Sequence, residues 1–304
     1  MGLVICKLPR AGLGNQLFPL LKAYTFAHLN NLPVLVTNYR QVKIGPWLRG
    51  ERNKRVYNGF FNFEKNRIAA QFDKWKVKNI SAEISIPEPE IKKLESKDVF
   101  TKYFLFHEIP HYARRFEGLT DNRELVINEL NKLIRPSIKK RLEELEPPCI
   151  GVHIRMADFK KLREGEKFGK EGATRTPEDY FVKTIQSIRN MYGDNLPVSI
   201  FTDGSKKEFS ILLQQPKIDF IEGNNDLVDL LLLSKSDIII TSGGSTFSYW
   251  AAFLSDAIVI MHPSFSNIKI RPESVDTQYE GVFDKNNLGL KEAIKAIKIK
   301  SNIF

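Results

Sequence analysis

The sequence predicts an α/β protein whose parallel sheets are covered by helices on both faces. Three observations carry that expectation. Short runs such as LVICKL, VLVT, CIGVHI, DIIIT and AIVIM alternate with longer segments of helical apolar spacing. These runs are continuously apolar, as strands buried on both faces are. Glycine-rich turns stand where strands pass into helices, at residues 12–14 and 243–244. At 304 residues the chain is about twice a usual ~100–200-residue domain, so one large domain or two mid-sized ones are expected.

In chain order, residues 3–8 suit a strand, 15–30 a helix and 34–37 a second strand, which together make a βαβ unit. Residues 40–115 mix aromatics (Trp47, Tyr57, Phe60, Phe61, Phe63) with basic residues at no clean period, and no element is assigned there. Helical patterns cover about 122–135 and 137–145, and Pro147-Pro148 ends the second before a strand at 149–154. That break divides the chain into domains 1–146 and 147–304. Beyond it come a helix at 177–192, a strand at 197–202, a helix at about 205–214 and a strand at 218–221. A helix at 226–235, a strand at 237–241, a helix at 246–254 and a strand at 257–261 complete the series. The loop 160–175, with three glycines and six basic residues, is expected to be mobile.

With 42% hydrophobic and 27% charged residues the chain can bury a core, which excludes a disordered tail or a collagen-like repeat. A net charge of +10 favours partners that carry phosphate, or an anionic membrane surface. Cys6 and Cys149 lie in apolar runs and are read as free buried thiols of a reducing cytosol. No stretch approaches the ~18 apolar residues of a membrane span, so a soluble cytoplasmic protein is expected.

Three segments carry chemistry. GLGNQLF, at 12–18, opens a helix where backbone amides and the helix dipole suit a phosphate. A dinucleotide fingerprint would need a third glycine at Leu17 and an acid near Thr37 and Asn38, so the NAD reading is weak. A tight turn that needs its glycines for geometry alone is the plainer alternative. GVHIRMADF, at 151–159, puts His153, Arg155 and Asp158 at the carboxyl end of a strand, where ligands of open parallel sheets sit. A guanidinium there suits a diphosphate, although an Arg155–Asp158 surface pair beside a packed His153 would look the same in sequence. The third segment, residues 229–254, runs from a strand through Gly-Gly-Ser-Thr into an apolar helix. It suits either a phosphate cradle or a simple cap by Ser245 or Thr246. His107-Glu108-Ile109-Pro110-His111 matches a zinc pattern, but Pro110 would disrupt the helix that the pattern needs.

The ordered set of motifs resembles the alpha-1,2-fucosyltransferases and the wider group of alpha-1,6- and protein O-fucosyltransferases. It comprises GLGNQ-L-F, His153-Ile154-Arg155-Met156-Ala157-Asp158 against H-x-R-R-x-D, TPEDYF at 176–181, FTDG at 201–204 against F-S-D-D, and residues 229–254 against D-x-x-L-M-S…N-S-T-F-S-W-W. The chain departs from this pattern at Met156, Gly204, Gly244 and Tyr249. The resemblance implies a GT-B fold, two Rossmann-like domains facing a cleft, and inverting transfer of L-fucose from GDP-β-L-fucose to a glycan hydroxyl without a metal. It implies guanosine contacts from His153 and Asp229 and a diphosphate clamp at Arg155. Asp203, Ser245, Thr246, Phe247 and Ser248 would complete the donor site, with Gly14, Asn15 and Gln16 from the N-terminal side. The general base is left unassigned: Asp158 is the first candidate, but it could equally hold Arg155 in place, and a phosphate oxygen or a residue of the loop 160–175 would also serve. The expected partners are a GDP-sugar and an oligosaccharide or lipid-linked acceptor, and not nucleic acid, although the charge and the stretch 40–75 would suit an oligonucleotide. The basic C-terminal segment 290–300 suits either packing back on the domains or contact with an anionic membrane.

Overall fold

The computed structural model describes residues 2–41, 45, 48, 55–63, 88–95, 103–170, 173–193, 195–272 and 278–301, with side chains as far as 296. The chain forms two compact units, residues 1–43 with 55–139 and residues 44–54 with 140–304. Each contains a parallel sheet, as the expected α/β class requires.

The first unit begins with β1 (Leu3–Lys7), α1 (Leu13–Asn30) and β2 (Val34–Thr37). β3 (Tyr103–Phe106) completes a three-stranded sheet in the order β2-β1-β3. β3 lies in the stretch to which the sequence assigns no element; its four residues are too few to show a period. α1 buries Leu17, Phe18, Leu21 and Phe26, and Asn31 ends it in the left-handed conformation that asparagine tolerates. The Tyr57 hydroxyl accepts the otherwise orphaned N–H of Leu13 at 3.1 Å. Two helices follow, α2 (Arg123–Leu133) and α3 (Pro136–Glu143), the latter spanning the change of unit.

The second unit contains β4 (Ile150–Ile154), α4 (Glu178–Tyr192), β5 (Val198–Thr202) and β6 (Ile218–Phe220). α5 (Asp226–Leu233), β7 (Ile238–Ile240), α6 (Thr246–Leu254), β8 (Ile258–Ile260), β9 (Glu280–Gly281) and α7 (Leu288–Ser301) follow. Its six parallel strands run in the order β6-β5-β4-β7-β8-β9. Phe181, Ile185 and Ile188 of α4 pack on one face with Ile150, Val152 and Ile154. Leu233, Ile239 and Ala251 pack on the other. Asn225 caps α5, its Oδ1 accepting from Leu227 N (3.1 Å) and Val228 N (3.0 Å).

The helix expected at 205–214 is replaced by two short 3-10 turns, Lys206–Glu208 and Leu212–Gln214. Glu178 Oε1 accepts the backbone N–H groups of Ile211 (3.0 Å) and Leu212 (2.9 Å), which removes both donors from an α-helical ladder. Several described residues of the loop 160–175 have fixed partners. Lys160 bridges Thr174, Arg175 Nε donates to Phe159 O, and Phe168 packs edge-on against His262 at 4.5 Å. In α7, Leu290, Ala293 and Ile294 are buried in the core of the second unit, so these apolar residues face protein and not a membrane. Among the described residues no helix is long and apolar enough to cross a membrane. Cys6 is fully buried and Cys149 partly so, both as free thiols; burial raises both pKa values, that of Cys149 to about 11.

Candidate active site

The order of the second sheet reverses at β4, with β5 and β6 on one side and β7, β8 and β9 on the other. The carboxyl ends of β4 and β7 therefore bracket a topological switch point, where open parallel sheets bind ligands. Two of the three sequence motifs end there.

Along β4, Ile150, Val152 and Ile154 enter one core face, while His153 turns to the other and stacks on Phe247 at 4.7 Å and 22°. Gly151 lies against the end of α5. A Cβ there would stand 2.2 Å from Ser236 Oγ and 2.7 Å from Leu233 Cδ1, so only glycine fits. His153 is buried, and its Nδ1 has no hydrogen-bond partner among the described residues. Burial lowers its pKa to about 3, opposed by Asp203 and reinforced by Arg155. The imidazole is thus neutral near pH 7, with its Nδ1 buried.

A depressed histidine pKa costs stability in acid, because the unfolded chain takes up the proton first. We expect His153 to lower stability by up to about 1.4 kcal/mol per pH unit as pH falls from about 6.5 toward about 3, with no contribution above pH 7. Denaturant unfolding of the wild type and of His153→Phe across pH 7 to 4 checks this; equal slopes for the two would contradict it.

Arg155 follows β4 directly. Its backbone N–H donates to Ser242 Oγ at 3.1 Å. Its Nη2 donates to Asp158 Oδ1 at 2.5 Å, and its Nη1 pairs with Asp203 Oδ2. Asp203 Oδ1 also accepts the N–H groups of Met156 (2.8 Å) and Ala157 (3.3 Å). Two carboxylates and a fixed backbone thus hold one guanidinium in place.

The turn after β7 is fastened from the segment before α4 and from within. Thr176 Oγ1 accepts Gly243 N–H at 2.9 Å and lies 3.2 Å from Ser242 Oγ. Gly244 adopts φ 74°, which favours glycine, and donates its N–H to the Tyr249 hydroxyl at 2.8 Å. Ser248 Oγ donates to the carbonyls of Ser242 and Ser245. Ser245 is the N-cap of α6, but its side chain makes no capping bond. The simple capping role is therefore not what this turn shows, and the first-turn amides of Thr246 and Phe247 start a helix whose dipole favours an anion.

The four departures from the motif pattern form two contacts. A Cβ on Gly204 would lie 2.8 Å from Cγ of the buried Met156, so the methionine fills the space of a side chain at 204. Tyr249 supplies the hydroxyl that Gly244 N–H uses, which a tryptophan lacks.

His153, Arg155, Asp158, Asp203, Ser245, Thr246, Phe247 and Ser248 are thus joined through β4, β5 and the β7–α6 turn. Asp229 stands in the first turn of α5 and accepts from Asn224 Nδ2 at 3.1 Å. Gly14, Asn15 and Gln16 belong to the first unit. There Gln16 Nε2 is engaged with Pro9 O (3.0 Å) and Gln41 Oε1 (3.2 Å), bracing the turn after β1. The fastening roles of Thr176 and Ser242 went unread, because their contact spans 66 residues; TPEDYF was the one signal at Thr176. Residues 107–111 form no helix, and the amides of His107 and Glu108 donate to Glu88 Oε1, so the zinc pattern is not assembled. Among the described residues no group of three or more His, Cys, Asp or Glu is placed to hold a metal.

Fold and site define a two-unit parallel α/β protein with an arginine and a serine-rich turn at its switch point. No family model matches the chain. It is similar to an alpha-1,2-colitosyltransferase of Escherichia coli, 25% identical over 279 residues, covering 84% of this chain and 89% of that one. Among solved structures it is similar to fucosyltransferase NodZ from Bradyrhizobium (16% identity, 85% and 94% covered, TM-score 0.45). Arabidopsis thaliana FUT1 gives 13% identity, 89% and 71% covered and a TM-score of 0.46.

Proposed function

We propose that the chain is an inverting, metal-independent glycosyltransferase that moves L-fucose, or a related deoxy sugar such as colitose, from a GDP donor to a glycan hydroxyl. The 2-hydroxyl of a galactoside in a surface polysaccharide is the first candidate acceptor, with the enzyme working in the cytoplasm at the inner face of the membrane. One observation carries the reading: Arg155, fixed by two carboxylates, stands one hydrogen bond from the β7–α6 turn. The similarity to a colitosyltransferase supports it.

In this reading the uncapped start of α6 and the small residues Ser245, Thr246 and Ser248 cradle the diphosphate. His153, Phe247 and Asp229 face the guanosine. The acceptor oxygen attacks the anomeric carbon, the bond to the β-phosphate breaks, and Arg155 neutralises the charge that grows on the leaving group. Asp158 has the more exposed carboxylate, 43% against 17% for Asp203. Proton acceptance falls to Asp158 and the holding of Arg155 to Asp203.

GDP and GDP-fucose are expected to raise the melting temperature in the presence of EDTA, with about 2.7 kcal/mol of stabilisation at a hundred times Kd. Thermal shift and calorimetry against UDP-galactose and NAD check this. Silence from every guanine nucleotide would overturn the reading.

A further inference from the structure

A cavity of about 230 Å³ opens at the end of β4, on the face opposite His153. Its walls are largely apolar, with Ile154, Met156, Leu162 and Phe209. Its polar edge is formed by Lys161, Thr176, Glu178 and Arg175, whose Nη1 pairs with Glu208 Oε1 at 2.9 Å. The cavity adjoins the proposed diphosphate site by two routes. Met156 follows Arg155 in the chain, and Thr176, which lines the cavity, is hydrogen-bonded to Ser242 and Gly243 of the turn.

Size and chemistry restrict the occupant. The volume lies below the ~300–1,000 Å³ usual for drug-sized ligands, so a single small ring fits and a nucleotide does not. A ring with hydroxyls on one edge and bare carbon on the other matches the charged edge and the apolar wall. Met156 sets the character of that wall. Because position 204 has no side chain, the thioether occupies the space beside it and offers no hydrogen-bond donor to a sugar hydroxyl.

We infer that this cavity receives the sugar ring of the nucleotide donor, with Met156 as the specificity-determining residue that selects a deoxygenated edge. The inference rests on the GDP-sugar reading above and assigns the sugar end of the same site. A hydroxyl pressed against Met156 would lose its water without gaining a partner, which disfavours fully hydroxylated sugars.

Calorimetric binding of GDP, GDP-β-L-fucose and GDP-mannose to the full chain tests it, with Leu162→Trp to fill the cavity and Met156→Gln to make its wall polar. The wild type is expected to prefer GDP-fucose over GDP-mannose by about tenfold or more. Leu162→Trp should keep its GDP affinity and lose that preference, while Met156→Gln should shift it toward GDP-mannose. Melting curves establish that both variants fold, and Leu162 lies in a loop, so at least one variant reports on the cavity. A wild type indifferent to the sugar, or a folded Leu162→Trp that keeps the preference, overturns the inference while GDP binding still stands. No GDP binding by the wild type would overturn the functional reading and this inference together.

Discussion

Replacing Arg155 with alanine is expected to lower kcat for sugar transfer by roughly 10²–10³-fold or more, the usual cost of removing a preorganised charge from a transition state. Charge on the leaving diphosphate exists in full only as the glycosidic bond breaks, so the loss should fall more on kcat than on donor binding. Arg155→Lys should recover only part of the rate. It keeps the charge but lacks the fork that meets Asp158 and Asp203 together. The fold should survive, because the main-chain bond from residue 155 to Ser242 is independent of the side chain, and Asp203 keeps the amides of Met156 and Ala157. Steady-state kinetics with GDP-fucose, alongside a melting curve, make the test; near-normal turnover by the alanine variant would remove Arg155 from the mechanism.

The largest expected loss of stability lies away from the site, at Arg271. Its guanidinium is 2% exposed, and it ties the edge of the second sheet together. Nη1 donates to the carbonyls of Ser255 (3.2 Å) and Ala257 (2.8 Å), Nη2 to Tyr279 O (2.9 Å), and Nε to Glu280 Oε2 (3.2 Å). Arg271→Ala takes a donor from three carbonyls and the charge partner from Glu280, which keeps only the main-chain N–H groups of Ile270 and Arg271, a loss of about 3–5 kcal/mol for breaking a buried pair. At ~2–4 °C per kcal/mol for a domain of this size, the melting temperature should fall by roughly 6–20 °C. Thermal unfolding checks this, and a shift of only a degree or two would mean that water replaces the lost partners.

Much of the second unit could be read in the sequence, because its strands are continuous apolar runs closed by recognisable turns. β2 begins and ends where VLVT does, and α6 where TFSYWAAFL does. What escaped depends on contacts distant in sequence. The 205–214 segment has a helical pattern, but the carboxylate of Glu178, 33 residues before Ile211, competes for its amides. β3 is too short to show alternation and joins β1 only through tertiary pairing, Ile5 opposite Leu105. In the site, the residue types of His153, Arg155 and Asp158 were legible at once. That Asp203 also grips Arg155, and that Thr176 fastens the β7–α6 turn, required the fold to bring the end of β5 and the segment before α4 beside them.

The two contacts between Met156 and Gly204 and between Gly244 and Tyr249 bear on how this chain's history is measured. At Met156 and Gly204 the two departures make physical sense only together: a side chain at 204 strikes the methionine, so restoring either position alone meets a neighbour shaped for the other state. Such positions are epistatic. Tyr249 serves the backbone amide of residue 244, which any residue but proline would carry, so that pair is not coupled in the same way. Scored one by one, Met156 and Gly204 make two mismatches, whereas in the folded chain they amount to one event, so tallying them separately overstates the divergence of this site.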